Sequence, residues 1–184
     1  MPRGVPFLAA AALAITMLAA GFAPANALLA RVERYAALIV LPFAACVELV
    51  LLALLLMNMA KAHSGISGLA LLTTSIGIWS SNVVIFALAY WQLDRGGPWG
   101  RTTGWFGRAD FSFPRGDPSE GVPVDWQPTF ADYLSLAFNT ATAFSPTDVL
   151  PLTPRAKMLM MTESFISLIT VVAVGARAIN ILGS

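Results

Sequence analysis

Oxygen-bearing side chains gather in one stretch, FNTATAFSPTDVLPLTPRAK, from Phe138 to Lys157. Thr140, Thr142, Ser145 and Thr147 bring hydroxyls and Asp148 a carboxylate, while Pro146, Pro151 and Pro154 break the backbone. Hydroxyls and a carboxylate favour positive over negative charge, and rings of carboxylates concentrate cations at pore mouths. Asp148 could equally cap the last helix or pair with Arg155. A second set is Glu163, Ser167, Thr170 and Val174, which fall within about 60° of one another on a helix. A carboxylate in an apolar helix is costly unless it is paired or faces water. The stripe is therefore either the wet face of an ion path or a hydrogen-bonded helix seam, and residue types alone allow both.

Other chemistry is sparse. Glu48 lies in an apolar run; a structural hydrogen bond to Asn82 or a neighbouring hydroxyl is expected there ahead of the alternative, proton or ion handling. Cys46, the single cysteine, reads as a small buried hydrophobe and excludes an intrachain disulfide or a Cys-rich zinc site. His63 stands alone in a short polar link, AKAHSGIS, and is expected to be solvated. Neither G-x-S-x-G nor H-E-x-x-H occurs, so no enzyme is expected. No cofactor is expected either, and no metal beyond transient monovalent cations.

The elements that must hold these groups are membrane elements. The chain has 184 residues, of which 57% are hydrophobic and 11% charged, against roughly a quarter charged in soluble domains. A soluble core cannot hide that much apolar surface. A net charge of +1 without a basic tail gives no reason to expect a nucleic-acid partner. Four spans are predicted, making an all-α membrane protein. The first, Val5 to Ala23, is either a retained helix or a signal peptide ending at the small residues Ala25 to Ala27. The second runs from about Tyr35 to Met59, with a kink expected at Pro42. The third covers Gly68 to Leu93 and ends in the aromatic anchor YWQLD; its small residues Thr74, Gly77 and Ser81 let a neighbouring helix approach closely. The fourth covers Pro154 to Leu182.

Between the last two spans, residues 94–127 show no period and read as an irregular, solvated loop of mixed sign whose aromatics rest on the membrane face. Thr129 then caps a short helix, with Asp132 completing an imperfect capping box. Phe130, Tyr133, Leu134, Ala137, Phe138 and Ala141 make a helical stripe along it. A helix from Thr129 to Ala143 reaches about 22 Å, too short to cross a bilayer. A re-entrant helix is predicted, with the polar stretch as its return limb.

This order of elements resembles the potassium-channel pore domain. The family reads T-x-G-Y-G-D, then a proline and a basic residue opening the inner helix. In TAFSPTDVLPLTPRAK, Asp148, Pro151, Thr153 and Lys157 stand in register with that pattern. The segment ESFISLITVVAVGARAINIL is similar to the inner helix of bacterial two-helix channels at Glu163, Ala176 and Arg177. The resemblance covers roughly residues 69–182. It divides the chain into an N-terminal hairpin, 1–67, and a pore-like domain, 68–184: outer helix 68–93, external loop 94–128, pore helix and loop 129–153, inner helix 154–182. It implies a homotetramer in a bacterial inner membrane, with lipid and its own copies as partners. The ion path it implies runs along Thr140, Thr142, Ala143, Phe144, Ser145, Pro146, Thr147 and Asp148.

Ser145, Pro146 and Thr147 stand where the family has Gly-Tyr-Gly. A carbonyl ladder needs the backbone freedom of glycine, and proline holds φ near −65°. The expected function is a cation channel with weak discrimination between potassium and sodium. The alternative is a non-conducting, channel-like membrane subunit. Pore-loop channels keep the loop outside and both termini inside, which puts Arg31 and Arg34 outside, against the positive-inside tendency. The architecture is given precedence here.

Overall fold

A computed structural model describes residues 27–60, 68–98, 100, 107–114, 126–142 and 148–182. The predicted first span, the His63 link and residues 143–147 of the polar stretch lie outside these. Four helices are described: α1 Ala27–Ala60, α2 Gly68–Leu93, α3 Phe130–Thr142 and α4 Pro154–Leu182. Two-residue strands, β1 Phe111–Ser112 and β2 Leu150–Pro151, pair antiparallel.

Three of these helices contain segments long and apolar enough to cross a membrane: Ile39–Met57, Leu72–Gly96 and Pro154–Gly175. The protein is mostly helical and built for a bilayer. α2 and α4 have the predicted bounds. α1 begins at Ala27, earlier than the expected Tyr35, because the charged turn at Arg31–Arg34 continues the helix past its apolar part. It continues through Pro42.

α1 turns Leu41, Glu48, Leu52 and Leu55 inward, a spacing of seven, four and three that marks a coiled-coil-like seam. Its partner is the small-residue face of α2, where Gly77 and Ser81 are buried. Cys46 faces outward on α1 and is not the buried hydrophobe expected, because it lies off the Leu41–Glu48–Leu55 seam.

Three contacts of α3, with α2 and with Asp94 that follows it, give its direction. Phe130 packs edge-on against Trp91 at 5.5 Å between ring centroids, Tyr133 bonds Asp94, and Phe138 meets Trp79 at 5.7 Å. α3 therefore runs antiparallel along α2 from its C-terminal end over about 18 Å, the length of the twelve residues from Trp79 to Trp91. α4 is also antiparallel to α2: Tyr90 meets Glu163 and Asn82 meets Ser167. α3 begins as its sequence dictates, with the Thr129 N–H donating to Asp132 Oδ2 at 2.7 Å.

The buried stripe of α3 is Tyr133, Leu136, Ala137, Thr140 and Ala141, rotated from the predicted one. Leu134 and Phe138 are exposed at 36% and 48%. The neighbours of α3 are α2 and α4 together, and two neighbours cover a wider face than one.

The expectation of a solvated loop between α2 and α3 is corrected in part, for some of the loop's described residues. Asp94, Asp110 and Phe111 are completely buried, and the Phe111 ring packs against Tyr90 at 5.1 Å. The loop starts with a reversal at Arg95, Gly96 and Gly97, whose φ values are 53°, 82° and 71°. A Cβ on Gly97 would stand 2.7 Å from the Gln92 carbonyl oxygen, so glycine is required there. That turn sends the chain back over the helix ends instead of out into water.

Candidate functional site

The candidate site has three parts along α2: the C-terminal end of α3 with Asp148 near it, a buried polar seam at mid-helix, and a clasp at the C-terminal end.

At the end of α3, Thr140 is buried and its hydroxyl donates to the Leu136 carbonyl at 2.8 Å. Thr142 donates to the Phe138 carbonyl at 2.9 Å, with the Asn139 carbonyl at 3.2 Å. Both hydroxyls thus spend their proton on their own helix, a common habit of threonine, and keep oxygen lone pairs free to accept. The helix C-terminus here carries a partial negative charge of about half an electron. Asp148 is exposed. It lines a cleft of ≈ 200 Å³ together with Asp132, Ser135 and Asn139 on one edge of α3 and Phe113 and Trp126 from the loop. Ala143, Phe144, Ser145, Pro146 and Thr147 lie outside the described residues. Among the described residues no group of three or more His, Cys, Asp or Glu could hold a metal ion.

The seam contains the second predicted set. Glu163, Ser167 and Thr170 are buried, while Val174 is half-buried. The Tyr90 hydroxyl donates to Glu163 Oε2 in a short bond. Asn82 Nδ2 donates to Ser167 Oγ at 2.8 Å and, more weakly, to the Glu163 carbonyl at 3.3 Å. Thr170 donates to the Ile166 carbonyl on its own helix. These are the contacts of a helix–helix seam, the second of the two roles that the sequence left open for Glu163. The seam is incomplete: Asn82 Oδ1 and Glu163 Oε1 are buried and bond to nothing among the described residues. Glu48 is tied to the opposite side of α2, with Ser81 Oγ 2.8 Å from each of its carboxyl oxygens. The hydroxyl is the partner, and Asn82 is not. Adjacent helix residues point about 100° apart, so Ser81 serves α1 and Asn82 serves α4.

No family model, curated protein or solved structure matches this chain. Its chemistry is read from its own residues.

The clasp escaped the sequence reading. Asp94 Oδ1 accepts the N–H groups of Asp110 at 2.7 Å and Phe111 at 3.2 Å, and Oδ2 accepts the Tyr133 hydroxyl at 2.7 Å. Asp110 accepts two bonds from Arg155, at 2.7 and 2.6 Å, and a short one from the Thr153 hydroxyl. Thr153 also caps α4, receiving the Ala156 N–H at 3.3 Å. Arg155 therefore pairs with Asp110, and not with Asp148 as weighed from the sequence. The only signal for Asp94 was its place straight after an aromatic anchor, which reads as solvated charge. For Asp110 there was none, since its partners stand more than forty positions away.

Proposed function

We propose that this chain is one subunit of a pore-loop membrane protein that assembles as a homotetramer and passes monovalent cations with weak discrimination between potassium and sodium. In this reading α2 is the outer helix, α3 the pore helix, residues 143–153 the return limb and α4 the inner helix. The observation that carries it is the geometry of α3. Thirteen residues reach only about 20 Å, short of the roughly 30 Å of a hydrocarbon core. Yet the helix lies along a helix that is long enough to cross, from the end of α2 down to Trp79.

An irregular polar segment at such depth is tolerated only inside protein or beside water. One chain leaves this side uncovered: Leu134, Phe138, Met158, Met161 and Phe165 are all exposed. Copies of the same chain around an axis would cover it and bring four α3 C-termini together, each favouring a cation. Ser145-Pro146-Thr147 argues against a glycine-type carbonyl ladder and hence against strong potassium selectivity.

Cysteine crosslinking tests the assembly. Thr147→Cys in a Cys46→Ser background is expected to give crosslinked dimers within a particle of tetrameric mass. A particle of monomeric mass in several mild detergents and in lipid nanodiscs would sink the reading.

A further inference from the structure

We propose that Asp94 and Asp110 are positioning residues for the cation path, a paired clasp that fixes where α3 descends and where the return limb ends. This rests on the pore-loop reading above. Asp94 closes α2 with a fully buried carboxylate. One of its oxygens holds Tyr133 in the first turns of α3, and the other holds the backbone at Asp110 and Phe111. The Asp110 carboxylate then grips Thr153 and Arg155 at the start of α4. Its carbonyl accepts the Leu152 N–H at 2.8 Å. Strand pairing of Phe111 with Pro151 and Ser112 with Leu150 adds a further tie to the return limb.

Tyr133 in α3 and residues 150–155 are thus two fixed points, one before the polar stretch in the chain and one after it. Both points are referred to the same short piece of loop, 110–112. A shift of 1 Å at either carboxylate moves an anchor of that stretch, and sites of this kind work only when their supporting residues hold them within about 0.5 Å.

The test uses the full chain in liposomes and two readings, amide hydrogen exchange over 130–142 and the ratio of potassium to sodium flux. Asp94→Ala is expected to speed exchange in the first turns of α3 by about tenfold or more and to change the flux ratio at least about threefold. Tyr133→Phe removes the hydroxyl donor to Asp94 Oδ2 and should act in the same direction, by about fivefold on exchange; it decides the matter if Asp94→Ala does not fold. Asp94→Asn keeps an oxygen for the two N–H groups and can offer an N–H to the Tyr133 oxygen. It is expected to restore both readings to within about twofold of the wild type, which a role resting on charge alone would not allow. Unchanged exchange in both Asp94→Ala and Tyr133→Phe overturns the proposal. Faster exchange with an unchanged flux ratio overturns it too, leaving the clasp a stabilising element only. Wild-type protein that passes no ion overturns the pore reading instead, and exchange alone then decides whether the clasp fixes α3.

Discussion

Two regions of the α2–α4 contact, the clasp at its end and the seam along its middle, treat buried carboxyl groups differently. In the clasp, both carboxyl oxygens of Asp94 and both of Asp110 receive bonds. In the mid-helix seam, Glu163 receives one bond and leaves Oε1 without a partner, and Asn82 leaves Oδ1 so. Buried polar groups are nearly always satisfied, and the exceptions ask for a reason. A saturated cluster resists movement, whereas a half-satisfied one gives up little when the helices separate. The contrast fits a molecule whose α2–α4 contact is fixed at the clasp and free to adjust along its length.

The hardest blow to this contrast falls on the clasp. Arg155→Ala should leave the Asp110 carboxylate buried with Thr153 as its only remaining side-chain donor among the described residues, at a cost of about 3 kcal/mol, the low end for breaking a buried pair from one side. The Arg155 side chain is 56% exposed, so Asp110→Ala, which frees the arginine into water, should cost less. Thermal unfolding in one detergent, with both variants side by side, checks the order. Equal losses would mean that Asp110 is more hydrated than its burial implies.

A middle-sized effect is expected on the other side of α2. Ser81→Ala removes the hydroxyl that Glu48 shares between its two oxygens and should destabilise by about 1–2 kcal/mol, the cost of leaving a buried group unsatisfied. Ser81→Thr, which keeps the hydroxyl, should recover most of it. Should the two variants melt alike, lost packing and not hydrogen bonding would be responsible.

The smallest effect belongs to the seam. Asn82→Leu together with Ser167→Ala removes both partners of one bond and the orphaned Oδ1 with them. Replacing both members of a pair by apolar groups is near neutral, so the double variant should unfold within about 0.5 kcal/mol of the wild type. A loss as large as that of Arg155→Ala would erase the distinction between the two regions.

Much of this architecture was legible before any coordinates. α2 and α4 follow from uninterrupted apolar runs, and α3 from Thr129, Asp132 and the stripe that begins at Phe130. Helical period and caps are local, and local rules found them. Hydroxyl supply to Glu48 was legible too, because a costly acid must find a donor nearby. The clasp was not. It joins residues 94, 110, 133, 153 and 155, which no periodicity relates, and its acids look like ordinary loop charges until the turn at Gly96 and Gly97 brings them inward. The seam was half legible. Glu163 and Ser167 stand on one helical face, but nothing in their spacing says whether that face meets water or Asn82 and Tyr90.

Flux through purified protein in liposomes tests the central claim most directly, with potassium, sodium and chloride gradients imposed in turn. Both cations are expected to pass, with less than about tenfold preference between them, and chloride to be excluded. Asp148→Asn should weaken the cation preference while leaving the assembly intact. Strong potassium selectivity would contradict the backbone argument at Ser145-Pro146-Thr147, and chloride preference would contradict the charge argument. Liposomes that hold all three gradients as long as empty ones would contradict the channel itself.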